Sequence, residues 1–114
     1  MKLKEDIQMK CYSISLTRKA KKDIIDIGDY ITYTLLEPTT AIELVKRIRE
    51  KIATLKELPY RYTVIDDEVL ERQGIRCISY KNYFVFYQIF EEQDTVVVLR
   101  VGYNRRNWKE ILRR

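Results

Sequence analysis

Arg76, Lys81, Arg100, Tyr103, Arg105 and Arg106 are the residues of this chain best suited to meet a phosphate or a carboxylate. All of them fall between residues 76 and 106. Arginine presents a planar fork that pairs with either anion, and lysine brings a point charge. Tyr80 and Tyr103 add hydroxyl groups at the ends of strand-like runs. Proton transfer is harder to supply. The chain has no histidine, which excludes imidazole acid–base catalysis, histidine-activated nucleophiles and histidine metal sites. Unperturbed lysine and tyrosine titrate near pH ~10. The set therefore suits recognition of an anion, or of a protein partner, better than it suits moving protons.

Three strand-like runs must position these residues: 75–80, 83–90 and 95–103, joined by turn signals at Lys81-Asn82 and at 91–94. Alternation along the runs assigns faces. Tyr83, Val85, Tyr87 and Ile89 go with one face, and Phe84, Phe86, Gln88 and Phe90 with the other. On the last run, Val97, Leu99, Val101 and Tyr103 join the first face, and Val96, Val98, Arg100 and Gly102 the second. Both faces are rich in apolar residues. A second face left open would form a patch around Phe84, Phe86, Val96 and Val98 that needs a partner; residues 1–10 or a C-terminal helix could cover it instead. Arg100 interrupts that face. It either pairs structurally with Glu71 or Asp94, or recognises an anion outside the chain.

Upstream, residues 11–16 alternate as a half-buried strand. Thr17 stands where a helix N-cap belongs. Ala20, Ile24, Ile27, Ile31 and Leu35 then follow at helical spacing. Pro38 suits the first position of a second helix, in which Ala41, Leu44, Val45, Ile48, Ile52 and Leu55 form the apolar stripe. Pro59 ends it. Val69 to Gly74 reads as a short helical turn closed by glycine. The order is β-α-α-β-β-β. This predicts an α+β fold, an antiparallel sheet packed on a helical hairpin with a short C-terminal helix. Residues 1–10 read as a polar extension and 11–114 as a single domain.

The chain has 114 residues, with 22 Lys and Arg against 17 Asp and Glu. The net charge of +5 permits a nucleic-acid or acidic protein partner without requiring one. No apolar run approaches the roughly 20 residues of a membrane span, and the N-terminus lacks a signal sequence. A cytoplasmic protein with no membrane partner is expected. Cys11 and Cys77 are read as buried free thiols. No metal and no cofactor are expected, because two cysteines without histidine do not complete a zinc site.

One family resemblance joins these observations. Ser15-Leu16-Thr17 followed by Ala20 and Asp23, Glu37-Pro38 with Ala41, Ile52, Leu55 and Pro59, Gly74-Ile75-Arg76, the run 83–87, and Val97 to Tyr103 followed by Arg105-Arg106-Asn107-Trp108 stand in the order and spacing of a known superfamily. The chain resembles the RelE/ParE toxins of bacterial type II toxin–antitoxin modules. The resemblance implies a toxin neutralised by a cognate antitoxin in a hetero-oligomer. It implies either of two targets: DNA gyrase for ParE-like chains, or the ribosome and its mRNA for RelE-like endonucleases. Phe84 stands where those nucleases usually carry arginine, and Glu110 and Ile111 stand where they carry tyrosine or histidine. A nuclease built on this chain would have to draw on Arg76, Lys81, Arg100, Tyr103 and Arg105. The ending Arg105-Arg106-Asn107-Trp108 is nearer the ParE-like pattern, with Asn107 replacing its usual aspartate. The ParE-like reading makes Arg105, Arg106 and Trp108 target-binding residues, and Phe84, Phe86, Val96, Val98 and Arg100 antitoxin-binding residues. A degenerate member that only binds antitoxin is the remaining alternative.

Overall fold

The computed structural model describes residues 10–62, 64, 68–104 and 108–113. Strand β1 (Ser13–Leu16) leads directly into helix α1 (Arg18–Asp29). Thr17 makes that junction. Its Oγ1 accepts the Ala20 N–H at 3.0 Å and donates to the Leu99 carbonyl at 2.7 Å. The expected N-cap thus also ties the helix to the sheet. Helix α2 (Pro38–Ala53) runs back along α1 with its proline in the first turn. A short helix α3 (Glu68–Arg72) precedes β2 (Arg76–Tyr80), β3 (Tyr83–Phe90) and β4 (Thr95–Tyr103), and α4 (Trp108–Arg113) closes the described chain.

The sheet order is β1-β4-β3-β2. β2, β3 and β4 form the antiparallel meander expected from the two turns. β1 departs from the expectation of an antiparallel sheet, because it pairs parallel with β4. The helical hairpin carries the chain from β1 across one face to the far edge, where β2 starts. Two reversals then return β4 beside β1, running the same way.

The helix-side core holds Ala20, Ile24 and Ile31 of the first helical segment and Ala41, Leu44, Ile48 and Ile52 of α2. They pack on Ile78, Val85, Tyr87, Val96, Val98 and Val101 of the sheet. A second, smaller cluster lies on the opposite face. There Leu70, Ile75 and Phe86 pack with Cys77, Phe84, Leu99 and Leu112. The short helices α3 and α4 cover this face; the C-terminal helix is one of the covers that strand alternation leaves open, and α3 is not among them. Gly102 permits the cover. A Cβ at this position would stand 2.4 Å from Ile111 Cδ1, so any other residue would require the Ile111 side chain to shift.

Val96 and Val98 contradict the alternation reading, which placed them beside Phe86. The register passes from Phe86↔Arg100 to Tyr87↔Val98 and leaves Leu99 as an extra residue in β4. This bulge puts Leu99 and Arg100 successively on the second face and sends Val98 and Val96 to the helices. Leu35 is a second departure. The chain passes from α1 into a π-helical turn at Tyr30–Thr34, where the Leu35 N–H donates to the Tyr30 carbonyl at 3.1 Å. The wider turn rotates the stripe, and Leu35 emerges half exposed instead of reaching the core. Cys11 is a third. It is exposed and precedes β1, while Cys77 is half-buried.

Leu36 follows the π-turn in the left-handed region, at φ +57°. The Glu37 N–H closes back on the Ile31 carbonyl at 3.0 Å, a helix-ending arrangement normally given to glycine. The left-handed conformation costs a side-chain-bearing residue about 1–2 kcal/mol, and Leu36 recovers little by burial, being 76% exposed. Leu36→Gly should therefore stabilise the fold by about 0.5–1 kcal/mol after allowing for glycine's freedom in the unfolded chain. Urea unfolding monitored by circular dichroism checks this; a lower midpoint would refute the strain.

Candidate functional site

Arg100 is the residue whose surroundings decide most. Its Nε and one Nη bind the Asp23 carboxylate of α1, both at 2.7 Å, and the other Nη donates to the Ile111 carbonyl of α4. Asp23 also accepts the Val101 N–H at 2.9 Å. The Arg100 and Asp23 side chains are only 13% and 14% exposed. Past Leu16, β1 no longer pairs with β4, and Asp23 fills the vacated hydrogen-bonding edge. Arg100 is thus paired structurally, but with Asp23 rather than Glu71 or Asp94. Three of its donors are taken up within the fold and its charge is matched by Asp23, which leaves little of it for an antitoxin carboxylate or a target phosphate.

Arg76 is engaged through one Nη only. It donates to the carbonyls of Tyr60 and Tyr62, and its guanidinium lies over the Tyr60 ring, 5.1 Å from the centroid. Tyr87 Oη holds the same loop by donating to the Pro59 carbonyl at 2.7 Å. Nearby, the Glu91 carboxylate receives Lys10 Nζ, the Tyr12 hydroxyl at 2.9 Å and the Tyr60 hydroxyl at 2.7 Å. These donors, Lys10 first, hold Glu91 at about 2 against its ordinary 4.5. Arg76 and Glu91 therefore fasten the 58–62 loop and the start of the described chain to the end of the meander.

Lys81 and Tyr103 lie at the opposite end of β2 and β4 from Arg76. Lys81 occupies the two-residue turn at φ +54°, with its ammonium over the Tyr80 ring. Tyr103 meets Tyr83 edge-on, with centroids 5.1 Å apart, and the Asn104 N–H donates to the Asn82 carbonyl at 2.8 Å. Burial, then Tyr103 and Tyr30, push the Tyr83 hydroxyl above its ordinary value. Tyr87 is pushed up as well, mainly by burial. Both shifts move these hydroxyls further from neutral pH. Arg100 and Tyr103 line one cleft of about 530 Å³ with Lys19 and Lys22, whereas Arg76 and Lys81 lie elsewhere, so the four do not converge on one point. Arg105, Arg106 and the side chain of Trp108 lie outside the described residues.

The proposed antitoxin face also changes. Phe86, Val96 and Val98 are fully buried, Phe86 beneath α3 and α4 and the two valines beneath the hairpin, while Phe84 is half-buried. An open apolar surface exists elsewhere. A groove of about 700 Å³ runs between the outer faces of α1 and α2. Its walls include Ile25 and Ile42, which are 58% and 71% exposed, with Gly28 and Val45 at close approach between them. Lys46 and Arg49 stand on its rim with no carboxylate partner among the described residues; Asp29 and Glu50 line it as well, Glu50 being paired with Arg47, so the rim keeps a net positive charge. The sequence carried one signal for this groove. Ile25 and Ile42 are large apolar residues that fall off the core stripes of their helices.

The described residues contain no cluster of metal-binding side chains and no helix long and apolar enough to cross a membrane. The model of the ParE toxin of the type II toxin–antitoxin system, parDE, matches residues 14–108. The chain belongs to this ParE toxin family. It is a ParE-like toxin of the type II toxin–antitoxin class. No curated protein matches it. Among solved structures, the chromosomal ParDE system from P. aeruginosa superposes with a TM-score of 0.69 at 22% identity, covering 83% of this toxin and 98% of that chain. The RelBE2 toxin–antitoxin complex from Mycobacterium tuberculosis gives 0.63 at 22% identity, covering 84% and 94%. A mutant E. coli RelE toxin in the free state gives 0.56 at 16% identity, covering 90% and 96%. These likenesses confirm the RelE/ParE-like fold.

Two outcomes follow for the ParE-like chain. Arg100→Ala would leave Asp23 nearly buried without its cation and should cost about 3 kcal/mol, read as a fall in the urea midpoint. A loss comparable to that from removing the exposed Lys22–Asp26 pair would contradict it. The Glu91 carboxylate is depressed in the folded state, so its stabilisation is present above 4.5 and is lost as pH falls toward about 2. Glu91→Gln should therefore lower stability at neutral pH and flatten the acid limb across that interval. Parallel acid limbs for the two proteins would refute the linkage.

Proposed function

We propose that this toxin acts in the cytoplasm by poisoning DNA gyrase, and that a cognate antitoxin silences it by laying an apolar, acidic helix in the α1–α2 groove. One observation carries the choice of gyrase over RNA cleavage. Arg100 is held by Asp23 and the Ile111 carbonyl, Arg76 is turned to the 58–62 loop through one Nη, and Lys81 stands apart from both on the β2–β3 turn, while Tyr103 borders the same cleft as Arg100. Cleaving RNA through its 2′-hydroxyl requires charge stabilisation and proton transfer at one phosphate. An arginine already matched by Asp23, with Arg76 and Lys81 elsewhere and no histidine in the chain, suits that requirement poorly. Inhibition by binding needs only complementary surface. Purified gyrase in a supercoiling assay, run beside mRNA cleavage on programmed ribosomes, separates the two. Gyrase inhibition without codon-positioned cuts is expected, and the reverse pattern overturns the reading.

The groove supports the antitoxin half of the proposal. Its exposed isoleucines suit the apolar stripe of a helix, and Lys46 and Arg49 suit carboxylates beside that stripe. Ile42→Asp should weaken antitoxin binding by about 2 kcal/mol, as at an interface hot spot. Isothermal titration of the purified pair tests this, and Ile42→Asp at wild-type affinity would remove the groove from the interface.

A further inference from the structure

The tip of the helical hairpin and the β2–β3 turn form a second unpartnered surface. We propose that this pole docks the toxin's target through a protein segment that carries a large apolar side chain beside a lysine or arginine. The inference rests on the gyrase reading and names the surface that reading requires. Three backbone irregularities meet here. The π-helical turn sits at Tyr30–Thr34, and Leu36 and Lys81 both hold positive φ. Backbone strain of this kind persists where the surroundings enforce it and gathers at ligand-contacting segments. The strain presents apolar surface rather than burying it. Tyr33 is 74% exposed, and Tyr30, Leu35 and Tyr103 stand out beside Leu36.

Between the two elements lies a pocket of about 530 Å³ with Ile31, Leu35, Leu44, Tyr80 and Tyr83 in its walls. That volume accepts a large side chain, and Tyr- and Leu-lined recesses are the kind of place in which interface anchors seat. Charge indicates the neighbour of the anchor. Glu37 lies on the hairpin lip and accepts the Thr40 hydroxyl, with no cation against it among the described residues. Glu43 beside it shares Arg47 with Glu50. Lys81 stands on the opposite lip, drawn over Tyr80. The hairpin lip therefore calls for a basic group, whereas the α1–α2 groove, where Lys46 and Arg49 stand against Asp29 with Glu50 already paired to Arg47, keeps a net positive rim that calls for an acidic one. One acidic antitoxin helix does not complement both surfaces, so the pole is assigned to the other partner.

Leu36→Gly and Glu37→Lys test the assignment on the purified full-length toxin. Both are expected to need at least tenfold more toxin for half-inhibition of gyrase supercoiling, with antitoxin affinity unchanged within twofold. Leu36→Gly should show this loss together with a raised melting temperature, which separates it from misfolding. Undiminished inhibition by both variants overturns the proposal. So does a parallel fall in antitoxin affinity, which would make the pole part of the antitoxin interface. If the wild-type toxin leaves gyrase untouched, the gyrase reading fails by itself. Growth arrest by the same variants at equal expression then decides the pole: arrest relieved supports a target surface there, and full arrest refutes it.

Discussion

Asp23 and Arg100 form the contact on which the rest of this toxin depends. β1 accompanies β4 only as far as Leu16, because the chain must turn at Thr17 to start the helical hairpin. β4 is then left with an open edge in the interior. Asp23, one turn into α1, supplies an acceptor to that edge at the Val101 N–H and a counter-charge to Arg100. Arg100 passes the connection on to the Ile111 carbonyl of α4. A single carboxylate thus joins the hairpin, the central strand and the C-terminal helix. Two largely desolvated charges gain little over an apolar pair. What they add is geometry, since an aspartate with several donors around it allows one placement of α1 on β4.

Much of this architecture was legible beforehand because period and capping obey local rules. The stripes of α1 and α2, Thr17 at the first N-terminus, Pro38 at the second, and Gly74 at φ +68° before β2 all stand where spacing put them. The failures on the two faces of the hairpin and sheet share a cause. Two of them follow from a change in the count of residues per turn or per strand that composition does not announce. The extra residue at Leu99 exchanges the faces of Val96 and Val98, and the π-turn takes Leu35 out of the core stripe. Because the side-chain period of a strand is two, one inserted residue inverts every assignment beyond it. The antitoxin face read from alternation inherited that inversion.

The site residues were misread for a different reason. Sequence gives the chemistry of Arg76 and Arg100 but not the obligations that the fold places on them. A small domain with two short covering helices leaves several carbonyls and one strand edge in need of donors or acceptors away from bulk water. Arg76 answers the 58–62 loop, and Arg100 answers α1 and α4. Arginine serves well in both places because one planar fork satisfies several acceptors at once.

With those arginines engaged, chemistry on this scaffold is confined to its surfaces, and the surfaces are unequal. The second face of the sheet is closed by α3 and α4 around Phe86. The outer faces of α1 and α2 and the hairpin tip keep Ile25, Ile42, Tyr33 and Leu36 in water. Exposing these side chains gains nothing for the folded monomer, and Leu36 does so at a backbone angle that costs stability. A domain optimised only to fold would carry glycine there and polar residues along the groove. The departure is intelligible if both surfaces serve partners of opposite charge, one at the groove with Lys46 and Arg49 and one at the tip with Glu37. The helical hairpin then has two functions beyond covering the sheet. It offers separate ground to inhibitor and target, joined only by the helices that they share.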